Sequence, residues 1–75
     1  MEDVLFTHKQ RSYIVKARRE GGKAVAEVFA PDGTSTNCRV DATNEVLSDM
    51  ISQGYADPVR RLQEEARDAF ISREP

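Results

Sequence analysis

Seventy-five residues with 39% hydrophobic content are expected to form one small domain spanning 1–75. One cysteine and one histidine exclude a disulfide framework and a four-ligand structural zinc site, so no metal or cofactor is expected. The net charge of −2 argues against tight non-specific binding to nucleic acid, and no apolar run reaches the length of a membrane span.

The start Met1-Glu2-Asp3 is acidic where a signal peptide would be basic, and the lone thiol of Cys38 suits a reducing compartment. A cytoplasmic location is the resulting expectation. The charge is unevenly spread. Between His8 and Lys23 lie six basic residues and one acid, whereas Pro31 to the end holds nine acids and five bases.

In chain order, residues 4–7 read as a first strand, with a loop at Lys9-Gln10 that aligns Phe6 with Tyr13 and Val4 with Val15. Neither loop residue favours positive φ. Gly21-Gly22 then separates two β-like runs, the signal of a two-residue type I′ or II′ hairpin. That turn pairs Glu20 with Lys23, Arg18 with Val25, Ala17 with Ala26, Val15 with Val28 and Ile14 with Phe29. Lys16 falls opposite Glu27 as an expected ion pair. Pro31-Asp32-Gly33 reads as a type I turn followed by a left-handed glycine. A continuous ladder from that loop sets Ala30 opposite Thr34, Val28 opposite Thr36, Ala26 opposite Cys38 and Ala24 opposite Val40. Tyr13, Val15, Ala17, Ala26, Val28, Thr36, Cys38 and Val40 then share the core face.

Beyond Val40 the hydrophobic period changes to that of a helix. Thr43 is a candidate N-cap, Val46, Leu47, Met50 and Ile51 recur at helical spacing, and Gly54 suits a C′ position. Asp57-Pro58 restarts the chain as N-cap and N1, followed by a stripe of Val59, Leu62, Ala66, Ala69 and Phe70. The expected fold class is α+β: an antiparallel β-meander of three to four strands, then two amphipathic helices packed on one face (ββββαα). The sheet should span about 4–40 and the helices about 44–53 and 58–72.

Helices on one face leave the other open, and that face carries Leu5, Ile14, Val25 and Phe29 interleaved with Lys16, Arg18 and Arg39. An apolar centre rimmed by charge is the anatomy of a protein contact, so a non-catalytic domain that self-associates or binds another protein there is the first expectation. Phe29→Glu should then abolish association. The alternative is a weak single-stranded nucleic-acid binder using Lys16, Arg18 and Phe29, although one aromatic platform is fewer than RNA-binding sheets usually offer. The bases at the hairpin tips, Lys9, Arg11 and Lys23, suit solvation and cross-strand pairing, and Arg60 and Arg61 suit pairing with Glu64 and Glu65 one turn on. No phosphate loop, metal-ligand spacing or nucleophile elbow is present. His8 and Cys38 are the one conceivable catalytic dyad, and the strand register buries Cys38, so no enzyme activity is expected.

The run from Ser12 to Ala30 with its Gly21-Gly22 turn, and the helix start Thr43-Asn44-Glu45, resemble HicB-type antitoxin domains. Those are small β-sheet modules with a helix that bind a toxin partner. The chain lacks the Pro-rich loop ending in Gly-Cys and the Glu-Ala pair of that family. The resemblance therefore implies a shared architecture and transfers no residue role or activity.

Overall fold

The computed structural model describes residues 2–74. Strands β1 (Val4–His8), β2 (Arg11–Glu20), β3 (Lys23–Phe29) and β4 (Ser35–Thr43) form one antiparallel sheet in the order β1-β2-β3-β4. Helices α1 (Asn44–Ser52) and α2 (Pro58–Arg73) follow. The ββββαα α+β architecture is the one expected from the sequence.

The first two pairings form in the expected register. Val4 faces Val15 and Phe6 faces Tyr13 across β1–β2, and every pair from Ile14–Phe29 to Glu20–Lys23 forms across β2–β3. At the Gly21-Gly22 loop only Gly21 has positive φ (61°), the pattern of a type II′ turn. The β1–β2 loop is less comfortable. Lys9 and Gln10 both take positive φ (51° and 66°), the type I′ geometry that Asn-Gly would adopt without strain.

The third pairing corrects the expected ladder. Ala30 and Thr34 bond across the Pro31-Asp32-Gly33 loop, Gly33 has φ 89°, and Phe29 pairs with Ser35. Val28 then pairs with Cys38 instead of Thr36, Ala26 with Val40 and Ala24 with Ala42. The ladder has shifted by two residues at Thr36-Asn37. Local side-chain bonds stabilise the detour: Asn37 N–H donates to Ser35 Oγ (3.0 Å), Thr36 Oγ1 donates to Val28 O (2.8 Å), and Cys38 N–H donates to Thr36 Oγ1 (3.3 Å). Asn37 supplies the left-handed conformation, φ 62°. Because the shift is even, Cys38 and Val40 keep the core face. The strand also runs three residues past the expected end at residue 40, to Thr43, which brings Ala42 into the core.

Both helix starts follow their capping residues. Thr43 Oγ1 accepts from Val46 N–H (3.3 Å), and Asp57 Oδ1 accepts from Arg60 N–H (3.1 Å) ahead of Pro58 at N1. α1 ends in a Schellman motif: Gly54, at φ 101°, donates to Ile51 O (3.0 Å), and Tyr55 donates to Met50 O (3.1 Å). α2 lies across all four strands, whereas α1 packs mainly against β4 and α2 at the margin of the sheet. That peripheral seat corrects the expected helix core. Leu47 and Met50 at the centre of the α1 stripe are buried, while Val46 and Ile51 at its margins stay 47% and 58% exposed. On α2, Ala69 is exposed, and Gln63 takes a place in the interior at 2% exposure.

The core lies between the sheet and α2. Val15, Ala24, Ala26 and Val28 of the central strands pack under Leu62, Ala66 and Phe70. Small residues on the sheet admit the bulky ones of the helix, as close packing requires. Tyr13 and Phe6 join Phe70 in an aromatic cluster, with ring centroids 4.7 Å (Tyr13–Phe70) and 6.0 Å (Phe6–Phe70) apart.

Candidate interaction surface

Alternation along the strands places Leu5, Ile14, Lys16, Arg18, Val25, Phe29 and Arg39 on the face that no helix covers. The sheet brings all seven together, though not as one apolar patch with a basic rim. Their surroundings divide the face into a charged half and an apolar corner.

The charged half is built around Glu27. Its carboxylate accepts from Arg18 Nη1 (2.7 Å) and from Ser35 Oγ, and Arg18 also reaches Glu20. The Ser35 hydroxyl and the Arg18 guanidinium hold the Glu27 carboxyl below its ordinary range, outweighing the cost of its burial. Lys23 closes the row on Asp41 at 2.9 Å. Two sequence expectations change here. Lys16 lies opposite Glu27 in register, but its ammonium sits 5.9 Å from the Phe29 ring centroid, and the ion pair goes to the diagonal Arg18. Val25 was expected to be exposed. It is 2% exposed, because Arg18 and Asp41 flank it directly in register with Lys23 and Glu27 above and below. Long charged side chains cover an apolar residue with their stems while their heads stay in water.

The apolar corner lies at the β1 side. Leu5 is 72% exposed, the largest exposure among the bulky apolar residues described. Ile14 beside it and Phe29 beyond are half-buried. Leu5, Ile14, Thr7, Ser12 and Pro31 border a shallow hollow of about 440 Å³. Burial thus ranks the expected contact residues: Leu5 is the most available, Ile14 and Phe29 less so, and Val25 not at all.

A second hollow of similar size opens at the C-terminal end of α2, between His8, Lys9, Arg11 and Arg73 over Phe70 and Tyr13. Its polar groups are largely occupied within the chain. Arg73 Nη2 donates to Thr36 O (2.9 Å), and the His8 imidazole bonds the Glu74 carbonyl. Cys38 lies apart from His8 in its bonding. Its thiol meets Ala66 O at 3.7 Å, and burial raises its pKa, which makes it a poor nucleophile. Arg60–Glu64 and Arg61–Glu65 form the expected pairs along α2, each at 3.7 Å.

Among the described residues no cluster of three potential metal ligands occurs. Among the same residues no helix is long and apolar enough to cross a membrane. Comparison with protein-family models, with curated proteins and with solved structures returns no match. The likeness to HicB-type antitoxins therefore stands on the hairpin and the helix start alone.

Proposed function

We propose that this chain is a non-catalytic protein-interaction domain whose contact surface is the β1 corner of the open sheet face, and that its partner there is a second copy of itself. The observation that carries the reading is Leu5. A leucine left 72% exposed on a regular strand, beside Ile14 and an apolar hollow, is surface for which water is a poor neighbour. The nucleic-acid alternative is weaker for a structural reason. Arg18 is held by Glu27 and Glu20, which leaves Lys16 and Arg39 as the bases of that face with no ion pair among the described residues.

Sedimentation equilibrium of the wild type and of Leu5→Glu tests the proposal. The wild type is expected to associate at micromolar to sub-millimolar concentration. The variant is expected to lose association by about tenfold or more, the scale of one desolvated apolar anchor, with an unchanged urea midpoint. A wild type that stays monomeric across that range overturns the reading.

A further inference from the structure

The two edges of the sheet are not equivalent. β4 carries the devices that discourage another strand from pairing: the Thr36-Asn37 irregularity, and the charges of Arg39 and Asp41. α1 also packs against it. β1 carries none of them. Val4-Leu5-Phe6-Thr7-His8 is a regular strand without proline, bulge, lysine, arginine or carboxylate, and it hydrogen-bonds a neighbour on the β2 side alone. Its outer backbone donors and acceptors face away from the sheet.

What flanks β1 indicates what would pair with it. Glu2 and Asp3 precede the strand and Lys9 follows it, and none of the three takes part in an ion pair among the described residues. A segment acidic at its start and basic at its end is complementary to itself when antiparallel. Resting on the self-association proposed above, we infer that two copies join β1 to β1 about a two-fold axis normal to the sheet, giving one continuous eight-stranded sheet. The register that pairs the whole strand centres on Phe6. It sets Val4 opposite His8 and Leu5 opposite Thr7, and it brings Asp3 of each copy beside Lys9 of the other. Opposed residues keep the same face, so the half-buried Phe6 meets its own copy on the helix side and extends the aromatic cluster with Tyr13 and Phe70. On the open side Leu5 lies diagonal to its copy, about 7–8 Å away and within reach of a long side chain.

A charge exchange tests this register. Asp3 and Lys9 are exposed, and Lys9 has the left-handed conformation that aspartate tolerates, so the variants should fold. By sedimentation equilibrium, Asp3→Lys alone and Lys9→Asp alone should each weaken the dimer about tenfold, since two symmetric pairs turn repulsive. The double variant should recover most of the wild-type constant, and Asp49→Lys, exposed on α1 and away from the junction, should leave it unchanged. A dimer indifferent to both single reversals but lost with Phe29→Glu would be a face-to-face stack. That outcome overturns the edge register and leaves self-association standing. A chain that never dimerises overturns both.

Discussion

At the scale of single residues, Gln63 contributes more than its polarity suggests. Its Nε2 donates to Glu2 O (2.7 Å) and to Val15 O (3.0 Å), so one amide on α2 ties the segment ahead of β1 and the middle of β2 to the helix. No buried side-chain polar atom among the described residues is left without a partner. Gln63→Leu keeps the volume and removes both bonds. The expected loss is about 1–3 kcal/mol in urea unfolding. A core this small rarely supplies more than about 3–5 kcal/mol, so the variant should sit close to its unfolding limit. An unchanged midpoint would mean water serves those carbonyls equally well. Residue periodicity did hold a sign of this position. Gln63 lies four residues beyond Val59 and seven before Phe70, inside the same helical stripe. A polar side chain masks that spacing unless its buried acceptors are known.

Among the elements, β-turns decide register, and the Lys9-Gln10 turn is the one formed against propensity. Two non-glycine residues at positive φ cost about 1–2 kcal/mol each before any compensation. The register holds because Phe6–Tyr13 stacking, centroids 5.4 Å apart, and Val4 in the core reward this pairing and no other. Gln10→Gly should therefore stabilise the fold by about 0.5–1 kcal/mol, read as a higher urea midpoint with the same denaturant slope. A lower midpoint would show that Gln10 makes contacts that outweigh its backbone strain. The opposite case is the β3–β4 ladder. Its loop is sound, yet Ser35, Thr36 and Asn37 satisfy backbone groups locally and displace the register by two. Asn37, a residue that accepts left-handed φ, was the available signal in that stretch.

For the whole molecule, dimensions of 36 × 24 × 20 Å describe a plate of two layers. Its accessible surface of 4765 Å² is close to that of an ordinary monomer of its mass, about 4,600 Å², so the proposed self-association would add to a finished fold and not complete it. Acid sensitivity belongs to this scale, because Glu27 links β2, β3 and β4 through Arg18, Ser35 and the facing Arg39. Glu27 is held below its ordinary value of 4.5 by Ser35 and Arg18, and Asp32 below 3.8 by the Thr34 N–H that closes its loop. A carboxyl with a depressed folded pKa contributes stability that is complete above its unfolded pKa and is lost as pH falls through its folded one. Stability should therefore be level near neutrality and decline below about pH 4.5. Glu27→Gln should flatten that acid limb in urea titrations at successive pH values. An acid limb of the same steepness would place the sensitive carboxyl elsewhere.

The sequence by itself determined the element order, the glycine turns and helix starts, and the face of most strand residues up to residue 40. Turn geometry and a strict period of two are local properties, and Gly21-Gly22, Pro31-Asp32-Gly33 and Asp57-Pro58 state them plainly. It also determined which residues share the open face, including Leu5, Ile14 and Phe29. Only the tertiary structure decided which of them meet water. Val25 is covered by its charged neighbours, Lys16 turns to Phe29 while Arg18 takes Glu27, and Val46 and Ile51 are left out because α1 packs mainly against β4 and α2 at the margin of the sheet. Exposure depends on what lies above a residue in space, and a one-dimensional pattern records only which side it faces.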